Sequence, residues 1–288
     1  MKLLTRLIPH KKISSLDVVI LAGLVVIGAW LGIATRSYVH PKSLAADTQS
    51  KNAVSPAPKQ QGTHITIVPI LVYHSVRPYY EGESARLKRF DIEPDVFMRQ
   101  LQYLRDHHYE SISFDTLARH IRTGASLPNH PIILTFDDGW ENQYTYAFPR
   151  LRDAGMQATF FITTNFVGHK HFLTWDEISE LDHSGMTIGG HTRSHPVLSA
   201  IADPRTLTDE IAGGKAIIEF HTKKPITVFA YPFGAYNDEV IAAVKAAGYD
   251  AARALHPDAT QNPDSAFALR GILASDDLAK FAAALAAQ

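Results

Sequence analysis

Two adjacent carboxylates and a pair of histidines are the candidate catalytic and metal-binding residues of this sequence. Asp137 and Asp138 follow an apolar run, where neighbouring carboxylates repel each other unless a cation or a proton relieves them. His191 and His195 follow a second strand-like run, and histidines four residues apart can offer two imidazoles to one cation. Each pattern alone also suits an ordinary turn or a surface histidine pair. Together they predict a site with two His ligands, one Asp ligand and open positions, the usual arrangement for activating water.

A third polar loop occupies residues 229–234, FAYPFG, again after an apolar run. Pro232 and Gly234 favour a tight turn whose backbone N–H groups could face a developing oxyanion, although an ordinary Pro/Gly turn fits equally well. The chain has no cysteine, so a metal site must use His, Asp or Glu.

These loops are positioned by strands that alternate with helices from about residue 65 onward. Strand-like runs occupy 65–73, 109–113, 131–136, 158–163, 186–190, 226–231 and 249–253. Helical patterns occupy 205–221, 237–247 and 276–286, and Asn237 and Ser275 are the expected N-caps of the last two. This alternation predicts parallel strands in an α/β barrel or a doubly wound sheet, folds that carry their chemistry where strands end.

Composition and charge limit the classes of protein. The 288 residues are 45% apolar and 20% charged, which excludes a disordered or collagen-like chain. Twenty-eight basic and 29 acidic residues give a net charge of -1, so we expect no nucleic-acid partner. Without the N-terminal stretch, about 220 residues remain, enough for one α/β domain.

The N-terminal stretch carries an uncharged apolar run at residues 18–34 after a basic segment. We predict a cytoplasmic segment at 1–17, a transmembrane anchor at 18–35, a flexible linker at 36–64 and a catalytic domain at 65–288. The positive-inside rule then places the large domain outside a cytoplasmic (inner) membrane that the chain crosses once. The alternatives are a buried core helix and a cleaved signal peptide, with small residues at 43–46 as the cleavage site and a secreted product.

The three loops together resemble a known family. TFDDG at 135–139, HTRSH at 191–195 and FAYPFG at 229–234 are similar to motifs of the polysaccharide deacetylases with a NodB homology domain, carbohydrate esterase family 4. The resemblance covers about residues 67–285. It implies a distorted (β/α) barrel, one divalent metal ion, with Zn²⁺ favoured, and hydrolysis of N-acetyl groups on amino-sugar polymers.

The resemblance also implies roles for individual residues. Asp137 matches the general base, and Asp138, His191 and His195 match the three metal ligands. The backbone of Phe233 matches the donor to the oxyanion.

The chain departs from the family pattern in two places. Ala230 stands where an arginine that partners the base is expected, and we predict that Arg270, on the last strand, replaces it. The C-terminal Leu-x-His motif that usually supplies the acid is absent. His74, in LVYHSV at 71–76, instead resembles the acid of the subgroup that deacetylates poly-N-acetylglucosamine. A structural histidine and a surface arginine are the respective alternatives.

Two classes of function follow from these observations. The favoured one is a membrane-tethered N-deacetylase of an extracytoplasmic amino-sugar polysaccharide, either poly-N-acetylglucosamine-like or peptidoglycan. The other is a catalytically weak or inactive glycan-binding relative. An esterase of O-acetylated polysaccharide is a further alternative. The sequence leaves the polysaccharide, the native metal and the oligomeric state open.

Overall fold

The computed structural model describes residues 66–84, 88–256, 260–261 and 266–287. The predicted basic segment 1–17, anchor 18–35 and linker 36–64 lie outside the described residues. Within the described ranges, every helix is too short or too polar to cross a membrane.

Parallel strands form the centre of the domain. The strands are β1 (Thr66–Ile67), β2 (Ile70–Tyr73), β3 (Ser75–Val76), β4 (Asp91–Ile92), β5 (Glu110–Ser111), β6 (Pro131–Phe136), β7 (Thr159–Ile162), β8 (Thr187–Gly190), β9 (Val228–Ala230), β10 (Ala251–Leu255), β11 (Thr260–Gln261) and β12 (Leu269–Leu273). Seven of them pair in the order β2-β12-β10-β9-β8-β7-β6, and β6 returns to β2, so the sheet closes. The prediction of a (β/α) barrel is therefore confirmed, and the alternative of an open doubly wound sheet is excluded.

Helices alternate with these strands along the chain. The α-helices are α1 (Pro94–Asp106), α2 (Phe114–Thr123), α3 (Phe148–Ala154), α4 (Trp175–His183), α5 (Pro204–Thr208), α6 (Gly214–Thr222), α7 (Asp238–Ala246) and α8 (Leu278–Ala286). The predicted helix 205–221 is broken by a π-helical turn at Asp209–Gly213. Asn237 caps α7 as predicted, but Asp277 rather than Ser275 caps α8, because its carboxylate accepts the N–H groups of Ala279 and Lys280.

Alternation along the strands divides the core into two parts. One set of strand side chains faces the interior of the barrel and packs against α2. This set comprises Ile70, Ile133, Phe161, Val228, Ala230, Ala251 and Leu269. The opposite set, including Leu71, Leu134 and Phe160, packs with residues of the surrounding helices. Because all seven strands run in one direction, their C-terminal ends meet at one face, and the loops predicted to do chemistry leave from there.

Candidate active site

Asp138, His191 and His195 come together at the C-terminal face of the barrel. Their ligand atoms all lie within 4.8 Å of one another. Oδ1 of Asp138 is 3.5 Å from Nε2 of His191 and 3.3 Å from Nε2 of His195. This oxygen is buried and has no hydrogen-bond partner among the described residues. A buried carboxylate oxygen that faces two imidazole nitrogens fits a cation, so the predicted ligand set has the geometry that a metal ion needs.

The backbone fixes the orientation of both imidazoles. Nδ1 of His191 lies 2.8 Å from the carbonyl oxygen of Ala230, which leaves Nε2 for a metal ion. Thr192 and His195 have left-handed backbone angles, with φ of 67° and 61°. The hydroxyl of Thr192 accepts the N–H of His195 at 2.9 Å, and the carboxylate of Glu210 accepts the N–H of Ser194 at 2.9 Å. These bonds hold a backbone conformation that is costly for residues with a side chain.

Electrostatics favour a cation at this point. Burial by itself would raise the pKa of Asp138, but the neighbouring imidazoles of His191 and His195 hold it well below its usual range. Burial would likewise lower the pKa of His191, yet the carboxylate of Asp138 raises it above the ordinary value. The site therefore attracts positive charge, either as protons on imidazole or as a metal ion.

Asp137 points into the barrel beside the cluster of Asp138, His191 and His195, and it is paired with an arginine. Its two carboxylate oxygens accept hydrogen bonds from Nη2 of Arg253 at 2.5 and 2.6 Å, and the side chain of Arg253 is completely buried. The arginine that meets Asp137 is thus Arg253, and the prediction of Arg270 is wrong. Arg270 pairs in register with Ala254, one residue beyond Arg253, so alternation places it on the opposite face of the sheet.

A signal for Arg253 was present in the sequence. It is the only charged residue of β10, and its neighbours Ala252 and Ala254 are apolar and buried. A charge at one position of such a strand requires a partner of opposite sign on the same face. The interior also makes room for it, since a Cβ added to Gly271 would lie 2.7 Å from Cδ of Arg253.

His74 lies next to Asp137, as the sequence predicted for an acid–base pair. Its Nε2 is 3.9 Å from Oδ2 of Asp137, and its ring centroid is 4.9 Å from that of Phe90. The side-chain amide of Gln143 donates to the carbonyl oxygens of both His74 and Asp137, at 2.7 and 2.5 Å. This amide ties the end of β2 to the end of β6. The convergence of the two residues is confirmed, while the acid role of His74 stays a prediction.

Phe233 lies beside His195. Its ring centroid is 4.7 Å from that of His195, and 61% of the residue is exposed. Its φ is 60°, in a turn closed by bonds from the N–H groups of Gly234 and Ala235 to Tyr231 and Pro232. The loop predicted to donate to an oxyanion is therefore at the metal cluster. The role of the Phe233 N–H stays a prediction.

Comparison with known proteins agrees with this site. The family model described as polysaccharide deacetylase matches residues 124–252, which include every predicted metal ligand. YxkH of Bacillus subtilis, whose name places it with the polysaccharide deacetylases, is 28% identical over 208 residues, 72% of this chain and 71% of that protein. The poly-beta-1,6-N-acetyl-D-glucosamine N-deacetylase of Staphylococcus aureus is 26% identical over 247 residues, 78% of this chain and 85% of the enzyme. The structure of IcaB from Ammonifex degensii superposes with a TM-score of 0.69 and 25% identity, covering 79% of this chain and 99% of that one.

The fold and the site define a (β/α) barrel that carries an Asp-His-His cluster beside the carboxylate of Asp137. By these matches, the chain is similar to the polysaccharide deacetylases in both sequence and fold.

Proposed function

We propose that this protein is a metal-dependent N-deacetylase of an extracytoplasmic amino-sugar polysaccharide, either poly-N-acetylglucosamine-like or peptidoglycan. The observation that carries the proposal is the meeting of Asp137 and His74 beside the Asp138, His191 and His195 cluster at one end of the barrel. A glycan-binding relative without activity would not need a paired base and acid at this point.

Asp138, His191 and His195 would hold the metal ion. One carboxylate and two imidazoles suit Zn²⁺ or another first-row divalent ion. When bound, such an ion polarises a carbonyl group and lowers the pKa of water.

The chain's other residues divide the proton transfers. Asp137, oriented by Arg253, accepts a proton from the water that attacks the acetamide carbon. The N–H of Phe233 donates a hydrogen bond to the carbonyl oxygen as it gains negative charge. His74 donates a proton to the nitrogen as the C–N bond breaks, which releases acetate and leaves a free amine on the sugar.

The substrate assignment rests on a relative and on His74. The Staphylococcus aureus relative is named for poly-β-1,6-N-acetyl-D-glucosamine. His74 stands at the position where the sequence resembles the acid of that subgroup. Both point to an amino-sugar polymer as the substrate.

The proposed location rests on the N-terminal sequence. Residues 18–34 would anchor the chain in the cytoplasmic membrane, because they form an uncharged apolar run after a basic segment. The catalytic domain would then lie on the extracytoplasmic side. A secreted form released by signal cleavage is the alternative.

Acetate release by the full-length protein tests the proposal. The substrates are poly-N-acetylglucosamine, peptidoglycan, chitin oligomers and acetylated xylan, each with and without added Zn²⁺ after chelator treatment. We expect metal-dependent release from an amino-sugar polymer, loss of release and of stoichiometric metal binding in Asp138→Asn, and no change in the surface control Asp176→Asn. Binding of a polymer without acetate release would indicate a glycan-binding relative. Release from xylan alone would indicate an O-acetyl esterase.

A further inference from the structure

We propose that Trp140 is a positioning residue that restricts Asp138 to binding the metal ion through a single oxygen. The inference deepens the proposed function, since it concerns the same metal site. It arises from the different surroundings of the two oxygens of one carboxylate.

The indole group of Trp140 forms a hydrogen bond with one of these oxygens. Its Nε1–H donates to Oδ2 of Asp138 at 3.0 Å. The other oxygen, Oδ1, faces Nε2 of His191 and of His195 and has no hydrogen-bond partner among the described residues. A carboxylate held in this way offers only Oδ1 to a metal ion, because Oδ2 is committed to the indole.

The indole is itself held in place by a neighbouring segment. Its ring stacks on Phe172 with centroids 4.4 Å apart and planes 22° apart. The two residues also form an antiparallel bridge, in which the N–H of Glu141 donates to the carbonyl of His171 at 2.9 Å. The hydrogen-bond donor to Asp138 is therefore built on a fixed platform.

The same platform reaches the loop that carries the histidines. Phe172 contacts Phe166 with centroids 4.8 Å apart. Next to Phe166, the N–H of Asn165 donates to the carbonyl of Arg193 at 2.8 Å, between the two histidine ligands. The aromatic contacts and the backbone bond of Asn165 thus link the carboxylate side of the site to its imidazole side.

Removing the indole N–H should change the coordination of the metal. Outer partners of metal ligands typically contribute about 10–100-fold to metal affinity, because they fix the ligand's orientation. With Oδ2 released, the carboxylate can rotate or bind through both oxygens. The second mode would fill a position that the reaction needs open.

The test compares Trp140→Phe with the matched control Trp175→Phe in the full-length protein. Phenylalanine retains a ring for Phe172 but has no N–H group. Trp175 stacks on His221 at 3.8 Å and makes no contact with the metal cluster among the interactions of the described residues. The measurements are the Kd for Zn²⁺, by competition with a chromophoric chelator, and the visible spectrum of the Co²⁺-loaded protein.

We expect the Zn²⁺ Kd to rise by about 10–100-fold in Trp140→Phe and to stay unchanged in Trp175→Phe. We also expect weaker visible Co²⁺ bands in Trp140→Phe, because these bands lose intensity as the coordination number rises. A purely structural role of the ring would leave the Co²⁺ spectrum unchanged. If Trp140→Phe does not fold, benzothienylalanine at position 140 replaces only the N–H group by sulfur and gives the same comparison.

A Zn²⁺ Kd and a Co²⁺ spectrum equal to those of the wild type would overturn the inference. Failure of the wild type to bind either metal would overturn it together with the proposed metal dependence. If Trp140→Phe binds the metal more weakly while the wild type releases no acetate, this inference is supported and the proposed activity is refuted.

Discussion

Replacement of Arg253 by methionine should destabilise the protein strongly. The side chain of Arg253 is completely buried, and its partner Asp137 is 4% exposed, so Arg253→Met leaves a carboxylate without its cation inside the barrel. Breaking one side of a buried ion pair typically costs about 3–5 kcal/mol. For a domain of this size, that loss corresponds to a decrease in Tm of about 6–20 °C.

Urea unfolding of the metal-free protein measures this loss. The matched control is Arg152→Met, which removes an arginine whose side chain is 65% exposed and lies 3.5 Å from Asp153 at the surface. We expect the control to lose clearly less free energy of unfolding than Arg253→Met. Equal losses would contradict the assignment of Arg253 as the partner of Asp137.

A double-mutant cycle with Asp137→Asn separates the ion pair from simple packing. Each single variant leaves one buried charge unpaired, whereas the double variant leaves neither. The double variant should therefore lose less free energy of unfolding than the sum of the two single variants, by about 0.5–3 kcal/mol. Strict additivity would show that the two side chains do not interact and would contradict a buried Arg253–Asp137 ion pair.

Three further predictions concern the acid, the metal and the membrane. His74→Ala should lower turnover by at least about 100-fold with unchanged metal content, and near-normal turnover would assign the acid role to another residue. Because Asp138 raises the pKa of His191 above 6.5, although burial alone would lower it, protons should compete with Zn²⁺ even above pH 6.5. The Zn²⁺ affinity should then rise with pH and binding should release protons, measured by calorimetry in two buffers, and a pH-independent Kd would contradict this. The stability of the metal-free protein should instead fall as pH rises. The stabilisation from protonated His191 is complete below pH 6.5 and is lost as pH rises through the raised pKa of His191. Protease added to cells whose outer barrier has been opened should digest the domain that follows residues 18–34. Survival of that domain together with a cytoplasmic control protein would place the domain inside the cell.

Local sequence was sufficient for much of the fold and for the candidate metal-binding residues. Strand-like runs alternate with helical spacing, and this order favours parallel strands. In a closed parallel barrel, residues that directly follow strands must meet at one face, whatever their distance along the chain. Asp138 is the second residue after β6 and His191 is the first after β8, so their meeting follows from strand positions alone. The same argument brought His74 to Asp137.

The arginine partner of Asp137 depended on tertiary structure. Arg253 and Arg270 lie on adjacent strands, and both were available to replace the missing arginine at Ala230. Register decides between them, because a shift of one residue moves a side chain to the other face of the sheet. That register is set by pairing between β10 and β12, which are 13 residues apart in the chain, and by the space that Gly271 leaves inside the barrel.

Trp140 also shows which features are local in the sequence and which depend on the folded chain. Its position after the Asp-Asp-Gly turn is visible in the sequence, but the stack on Phe172 is formed by a segment more than 30 residues further on. Only the folded chain brings that segment against the turn and directs the indole N–H to one oxygen of Asp138. Local patterns are enough to predict the order of the strands along the chain and the residues at their ends. Which side chains face each other across the barrel depends on register and long-range packing, because these join parts of the chain that no local pattern connects.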